Sequence, residues 1–185
     1  MDIKLLIKDG KELTKDELDV INLWREKEFN SKSVIEPKLN DDNWNKKYFL
    51  LFEGINKLVA FARLHEVKLE FLGEEYSILG LATLISTERR KGYGKRLVLE
   101  MKRYIELSGK AGIGFCNKKL TEFYKDCGFG IIVDGTSRFL YKDNNNLVKD
   151  PWGGGDVIYV EGKDGLITKI LENPGVDVIS HRKHW

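Results

Sequence analysis

Apolar and polar residues alternate with a period of two from Ile3 to Lys8, and Asp9-Gly10 turns the chain, so the pattern opens on a short strand. The period then lengthens. Leu13, Leu18, Ile21, Leu23, Trp24 and Phe29 form a helical stripe behind Thr14, with Glu17 placed to complete a capping box. Asn30 to Asn45 is polar and reads as loop. Strand patterns return at Lys47 to Phe52 and Leu58 to Leu64 around the turn Glu53-Gly54-Ile55-Asn56. They recur at Val67 to Phe71 and, past Leu72-Gly73, at Tyr76 to Ile85. These runs predict an antiparallel meander. A helix over Gly94 to Ser108 follows, stopped by Gly109 to Gly112, then a brief strand at Ile113 to Cys116 and a second helix at Leu120 to Cys127. Gly128 to Val133, Ser137 to Tyr141 and Asp156 to Val160 read as further strands, Asn144-Asn145-Asn146 as a polar turn and Trp152-Gly153-Gly154-Gly155 as a joint. The order of elements predicts a mixed α/β (α+β) sheet fold.

The most informative segment is Arg89-Arg90-Lys91-Gly92-Tyr93-Gly94-Lys95-Arg96, set between a strand and a helix start. Gly92 and Gly94 permit positive φ and close approach of the backbone, so successive N–H groups are able to converge on an anion. The helix dipole that begins here favours negative charge, and Arg89, Arg90, Lys91 and Lys95 add full positive charges. Alone, a Gly-x-Gly of this kind reads first as a turn among solvated charges, because the motif is short. It is not a P-loop, because Lys95 is followed by Arg96 rather than Ser or Thr. It is not a Rossmann fingerprint either, because no third glycine stands at Val98 or nearby and the unit does not start the chain.

The chain has 185 residues, 42% hydrophobic and 32% charged, which suits one domain with a sizeable core. A formal charge of +2 argues against nucleic acid as partner and makes the basic cluster at 89 to 96 a local feature. Cys116 and Cys127 are the only thiols, and neither they nor His65, His181 and His184 have metal-site spacing, so no metal is expected. With no apolar run of membrane-span length and a polar start, a cytoplasmic setting without membrane contact is expected.

Arg89-Arg90-Lys91-Gly92-Tyr93-Gly94 resembles the cofactor motif Arg/Gln-x-x-Gly-x-Gly/Ala of the GNAT superfamily of N-acetyltransferases. A second, independent match is Asn117 through Phe129, with Asn117, Phe123-Tyr124 and Gly128-Phe129 in the family's order. The resemblance implies a largely antiparallel mixed sheet flanked by helices, whose fourth and fifth strands splay apart, in a single domain over 1–185 with a C-terminal strand extension from about 134. It implies acetyl-CoA as cosubstrate, with Ala82 and Leu84 offering main-chain groups to pantetheine and Asn117 reaching that arm. Arg89, Arg90, Lys91, Gly92, Tyr93, Gly94 and Lys95 would hold the pyrophosphate. Tyr124 becomes the candidate acid that protonates the departing thiolate; outside the motif, Phe123 and Tyr124 would read as helix-face core. Cys116 and Cys127 are taken as buried apolar residues, because this family transfers its acyl group directly and no base neighbours Cys127 in sequence.

Over most of its length the pattern is similar to the aminoglycoside 2'-N-acetyltransferase branch, on Asp42-Asn43-Trp44, Gly135-Thr136-Ser137, Asp156 to Val160 and a terminal tryptophan. Two departures concern the acceptor. The branch's strand glutamate, which accepts the amine's proton, is replaced by Gly80, and its acidic C-terminal residues by His181, Arg182, Lys183 and His184, a tail that should repel a polycation. Glu66, Glu70, Glu75 and His65 are the alternative bases, with deprotonation by bulk solvent as another route. Asp42, Trp44, Gly80, Trp152 and Trp185 are the candidate acceptor-side residues. The expected partner is a small-molecule primary amine, and a homodimer is left open. The competing expectation is a coenzyme A-binding protein of regulatory role that has lost efficient chemistry.

Overall fold

The computed structural model describes residues 2–30, 34–36, 45–143, 146–149 and 154–182. The chain divides into two compact units, Met1–Leu64 with Ala82–Val98, and His65–Leu81 with Leu99–Trp185.

In the first unit β1 (Ile3–Asp9) pairs antiparallel with β2 (Lys47–Glu53), and β2 with the first half of β3 (Lys57–Phe71). Between β1 and β2 lies α1 (Lys15–Phe29). Its start is the predicted capping box: the Thr14 hydroxyl accepts from the Glu17 N–H at 3.2 Å, and the Glu17 carboxylate accepts from the Thr14 N–H at 2.9 Å. Ile21 is fully buried and joins Ile35, Tyr48, Leu50, Phe61 and Ile85 in one apolar cluster, against which Trp24 packs. Gly54, Ile55 and Asn56 form the expected turn, with Glu53 closing β2.

In the second unit the remainder of β3 pairs antiparallel with β10 (Val178–Ser180), which pairs in parallel with β7 (Phe139–Asp143). β8 (Asn146–Lys149) completes a hairpin with β7. On the other side, β4 (Glu74–Ser86) pairs in parallel with β5 (Gly112–Cys116) at Leu79↔Gly112 and Gly80↔Ile113. β9 (Asp156–Val160) lies antiparallel between β5 and β6 (Gly130–Ile132). The sheet is therefore mixed and largely antiparallel, as the sequence predicted. Its core includes Leu69, Phe71, Ile78, Ile113, Phe139 and Val178 with Leu166, Ile167 and Ile170 of α4 (Leu166–Glu172).

Several boundaries differ from the sequence expectation. The separate runs at 58–64 and 67–71 are one strand, β3, because His65 and Glu66 contain no chain-breaking residue and His65 is itself buried. The region beginning near 134 is more than strands: Gly135–Arg138 is a 3-10 turn, and α4 lies between β9 and β10. α4 was missed because its seven residues give barely two turns of period. β8 and β10 are four and three residues, too short for alternation to show.

Candidate active site

α2 (Tyr93–Ser108) runs for 16 residues and buries Leu97, Met101 and Ile105 at i, i+4, i+8 spacing, so its start is fixed by an apolar stripe. Of the two glycines expected to take positive φ, Gly92 does and Gly94 does not, because Gly94 already lies in the first turn of α2; Arg90 supplies the second left-handed residue instead. Arg90 (φ 66°) and Gly92 (φ 79°) are both left-handed, and the Arg96 N–H donates to the Gly92 carbonyl at 3.0 Å. The N–H groups preceding that first helical bond have no intrahelical acceptor and lie at the positive end of the dipole. A Cβ built at Gly92 meets nothing within 4 Å, so the space at this turn is open.

The side chains divide by role. Arg89, Arg90 and Lys95 are exposed, and no acid among the described residues forms an ion pair with them. Lys91 instead pairs with Glu88 at 2.5 Å, and Lys57 bridges Glu88 and Glu53 at 2.9 and 2.8 Å. The Tyr93 ring is buried and its hydroxyl donates to Glu53, so this residue can offer a ligand only its backbone. Bonds from Lys57 and Tyr93 hold the Glu53 carboxyl below its ordinary value, and the same network keeps Lys57 and Lys91 firmly protonated. Arg96 donates to the Ile3 carbonyl at 3.1 Å, anchoring the helix start on β1.

Upstream, Thr83 in β4 has φ 47°, an uncommon state for a β-branched residue. Tyr76, Ile78, Gly80 and Ala82 are buried at every second position, with Leu79 buried beside them, and the next buried position is Ile85, three residues on, so the alternation slips by one residue around Thr83. Such a conformation costs on the order of 1–3 kcal/mol and persists only when the surroundings enforce it. Here the Arg63 guanidinium, 7% exposed, donates to the Thr83 hydroxyl at 2.7 Å and lies 6.0 Å from the Tyr48 ring centroid. Ala82 and Leu84 flank this irregularity. Neither Thr83 nor Arg63 was singled out in the sequence, since threonine is an ordinary strand former and Arg63 falls within an apolar run.

In the second unit, α3 (Thr121–Asp126) follows a 3-10 turn over Lys118–Leu120. Asn117 is exposed and caps that turn, its Oδ1 accepting from the Lys119 N–H at 2.9 Å, which leaves its amide nitrogen directed by the cap. Tyr124 is 8% exposed, in edge contact with Phe123 (centroids 5.1 Å apart) and Phe129 (5.8 Å). Burial, with lesser contributions from Cys116 and Cys127, raises its phenol well above the ordinary value, so the proton stays in place. Cys116 and Cys127 are both buried, and burial with the nearby Asp156 charge pushes the Cys116 thiol up, which suits no nucleophile.

Gly80 is buried in the β4–β5 ladder opposite Ile113 and provides no carboxylate. The alternative acids are engaged: Glu66 by Lys110 and Ser77, Glu70 by Lys142 (2.5 Å) and His181 (2.6 Å), and Glu75 by Lys68 (2.8 Å). These bonds lower all three carboxyls, making them weaker bases. His65 is buried within β3. Asp42, Trp44, Trp152 and Trp185 lie outside the described residues, as do Lys183 and His184. No described helix is long and apolar enough to cross a membrane.

A model of the acetyltransferase (GNAT) family matches residues 18–129, more than half of the chain. No curated protein matches it. Among solved structures it is similar to Escherichia coli ElaA, at 16% identity and TM-score 0.60 over 86% of this chain and 100% of that one. It is also similar to the Escherichia coli GNAT family N-acetyltransferase YhbS, solved in complex with CoA, at 14% identity and TM-score 0.57 over 98% and 92%. A third likeness is to an acyl-CoA N-acyltransferase from Pseudomonas aeruginosa, at 14% identity and TM-score 0.55 over 84% and 97%. At such identities these likenesses establish the fold. With the family model spanning both the loop before α2 and the segment carrying Tyr124, the chain belongs to the GNAT acetyltransferase family, as an acyltransferase with acetyl-CoA as donor.

Proposed function

We propose that the protein transfers an acetyl group from acetyl-CoA directly to a primary amine of a small molecule. The observation that carries this reading is the pair of left-handed residues, Arg90 and Gly92, before α2, which presents N–H groups without intrahelical acceptors beside Arg89, Arg90 and Lys95. That arrangement suits a pyrophosphate, with Gly94 and the backbone of Tyr93 in the cradle and Lys91 acting through Glu88 to hold the loop. Ala82 and Leu84 supply main-chain groups to the pantetheine amides in the manner of an added strand, and Asn117 contributes its amide to the same arm.

Acetyl-CoA supplies an activated acyl carbon and a thiolate leaving group. As the amine nitrogen bonds to that carbon and the carbon–sulfur bond breaks, the Tyr124 hydroxyl gives its proton to sulfur. In water a phenol near pKa ~10 is a weaker acid than a thiol near ~8.5, and transfer would be uphill by about 2 kcal/mol. Burial raises the phenol further, so the transfer requires that the expelled thiolate be desolvated too, which raises its own proton affinity. The amine's own proton goes to solvent, since Gly80 carries no base and Glu66, Glu70 and Glu75 are ion-paired, and the Tyr124 phenolate then regains a proton from solvent before the next turnover.

The similarity to the aminoglycoside 2'-N-acetyltransferase branch supports aminoglycosides as members of the acceptor panel, and the basic residues at 181–184 oppose them. A second reading, a coenzyme A-binding protein with a regulatory role, is favoured by the missing carboxylate at Gly80. Thiol release from acetyl-CoA with a panel of amines separates the two. Turnover with at least one amine supports the enzyme; tight acetyl-CoA binding with no thiol release above background for any amine supports the second reading.

A further inference from the structure

A single buried carboxylate in the second unit ties together three elements, one of which carries Tyr124. Asp156, the first residue of β9, is 3% exposed and lies opposite Cys116, the last residue of β5. Its Oδ2 accepts from the hydroxyl of Thr121, the first residue of α3, and its Oδ1 accepts from the Asp134 N–H at 2.9 Å, in the left-handed turn after β6. Thr121 is 8% exposed, and its one hydroxyl proton is committed to Asp156.

Isolated, α3 has little to hold it. It is six residues long, and Leu120 before it provides no side-chain cap. The adjoining chain is fixed on both sides. Gly155 and Thr136 exchange hydrogen bonds at 2.9 and 3.0 Å, and a Cβ on Gly155 would sit 2.6 Å from the Cys116 carbonyl oxygen. Burial disfavours the Asp156 charge, yet the bonds from Thr121 and Asp134, with Lys118 and Lys125 nearby, outweigh it and keep the carboxyl ionised below its ordinary value. An ionised group at this depth is retained at a cost, which its bonds to the start of α3 offset.

We propose that Asp156 is the positioning residue for Tyr124: through the Thr121 hydroxyl it fixes the start of α3 and with it the direction of the phenol. The inference rests on Tyr124 as proton donor. Asp156 touches neither donor nor acceptor in this scheme; it acts by removing freedom from a short helix.

The test is a double-mutant cycle on thiol release, using acetyl-CoA and the fastest amine of the panel. Asp156→Asn, Thr121→Val and Thr121→Ser are each made alone and with Tyr124→Phe. Asp156→Asn and Thr121→Val should lower kcat by about tenfold to a hundredfold with KM for acetyl-CoA within about twofold, and Thr121→Ser, which keeps the hydroxyl, should stay within about threefold of wild type. With Tyr124→Phe present, the first two should cost less than about threefold more, because the group they position is gone. Losses that multiply in that background, or a Thr121→Val enzyme as fast as wild type, overturn the proposal while leaving the acid assignment intact. A Tyr124→Phe enzyme as fast as wild type, or no turnover with any amine, overturns the underlying reading and this one with it. If Asp156→Asn does not fold, the two Thr121 variants decide the question alone.

Discussion

Replacing Tyr124 with phenylalanine removes one oxygen and leaves every ring contact in place, which makes it a clean perturbation of the proposed chemistry. The ring keeps its edge contacts with Phe123 and Phe129 at 5.1 and 5.8 Å, and the helix α3 keeps its bonds through Thr121. Loss of one hydroxyl should therefore change folding stability by no more than about 1 kcal/mol. The kinetic effect should be larger. A positioned acid contributes roughly 100- to 10,000-fold, so the barrier should rise by about 3–5 kcal/mol, with kcat falling by that factor. Because the phenol acts on the leaving sulfur rather than on bound acetyl-CoA, the donor's Kd should stay within about twofold. Initial rates of thiol release give kcat and KM, calorimetric titration gives the donor affinity, and thermal unfolding gives the stability. A Tyr124→Phe enzyme whose kcat stays within twofold of wild type from pH 7 to 10 would refute the acid assignment, whatever its affinity. A variant that loses donor binding and kcat together would instead make Tyr124 a binding residue.

Gly92→Ala places a Cβ where φ is 79°, in open space, so its cost is backbone strain of about 1–2 kcal/mol. That strain should appear as acetyl-CoA affinity roughly 5- to 30-fold weaker or as an equal loss of stability, and calorimetry with thermal unfolding would disprove the cradle if neither moved. With no carboxylate at Gly80 and the three nearby glutamates held low by ion pairs, the acidic limb of kcat/KM should follow the acceptor. Moving to an amine of lower pKa should shift that limb downward in pH by the same amount, whereas a limb fixed across amines would reveal an enzymic base. Since burial raises the Tyr124 phenol, no basic limb from its loss of proton should appear below about pH 10. Gly155→Ala should destabilise the fold by about 1–3 kcal/mol in chemical denaturation, because the new Cβ meets the backbone oxygen of Cys116 rather than a movable side chain; unchanged stability would show that this β5–β9 approach is looser than described.

The sequence made the cradle legible because its signals are local: two glycines, a basic run and the onset of a 3.6-residue apolar period occupy eight consecutive positions. The capping box at Thr14 and Glu17 was legible for the same reason. Polarity alone divides the single strand β3 in two, because His65 and the charged, exposed Glu66 imitate a turn within it. The pairing of Lys91 with Glu88, three residues before it, is not announced by a run of charges in which every cation looks available to a phosphate. Thr83 was invisible, since a left-handed threonine is imposed by Arg63 twenty residues earlier and by the packing of the strand, not by its own preference. Asp156 was read only as the start of a strand. Its bonds to Thr121 and Asp134 span 35 and 22 residues, a separation that no periodicity reports.

A crystal structure of the protein with acetyl-CoA should show the pyrophosphate bound by the backbone N–H groups at Gly92 to Lys95, with the guanidinium of Arg89 or Arg90 beside it and Lys91 still paired with Glu88. A pyrophosphate held elsewhere on the chain, with the loop before α2 empty, would contradict that placement.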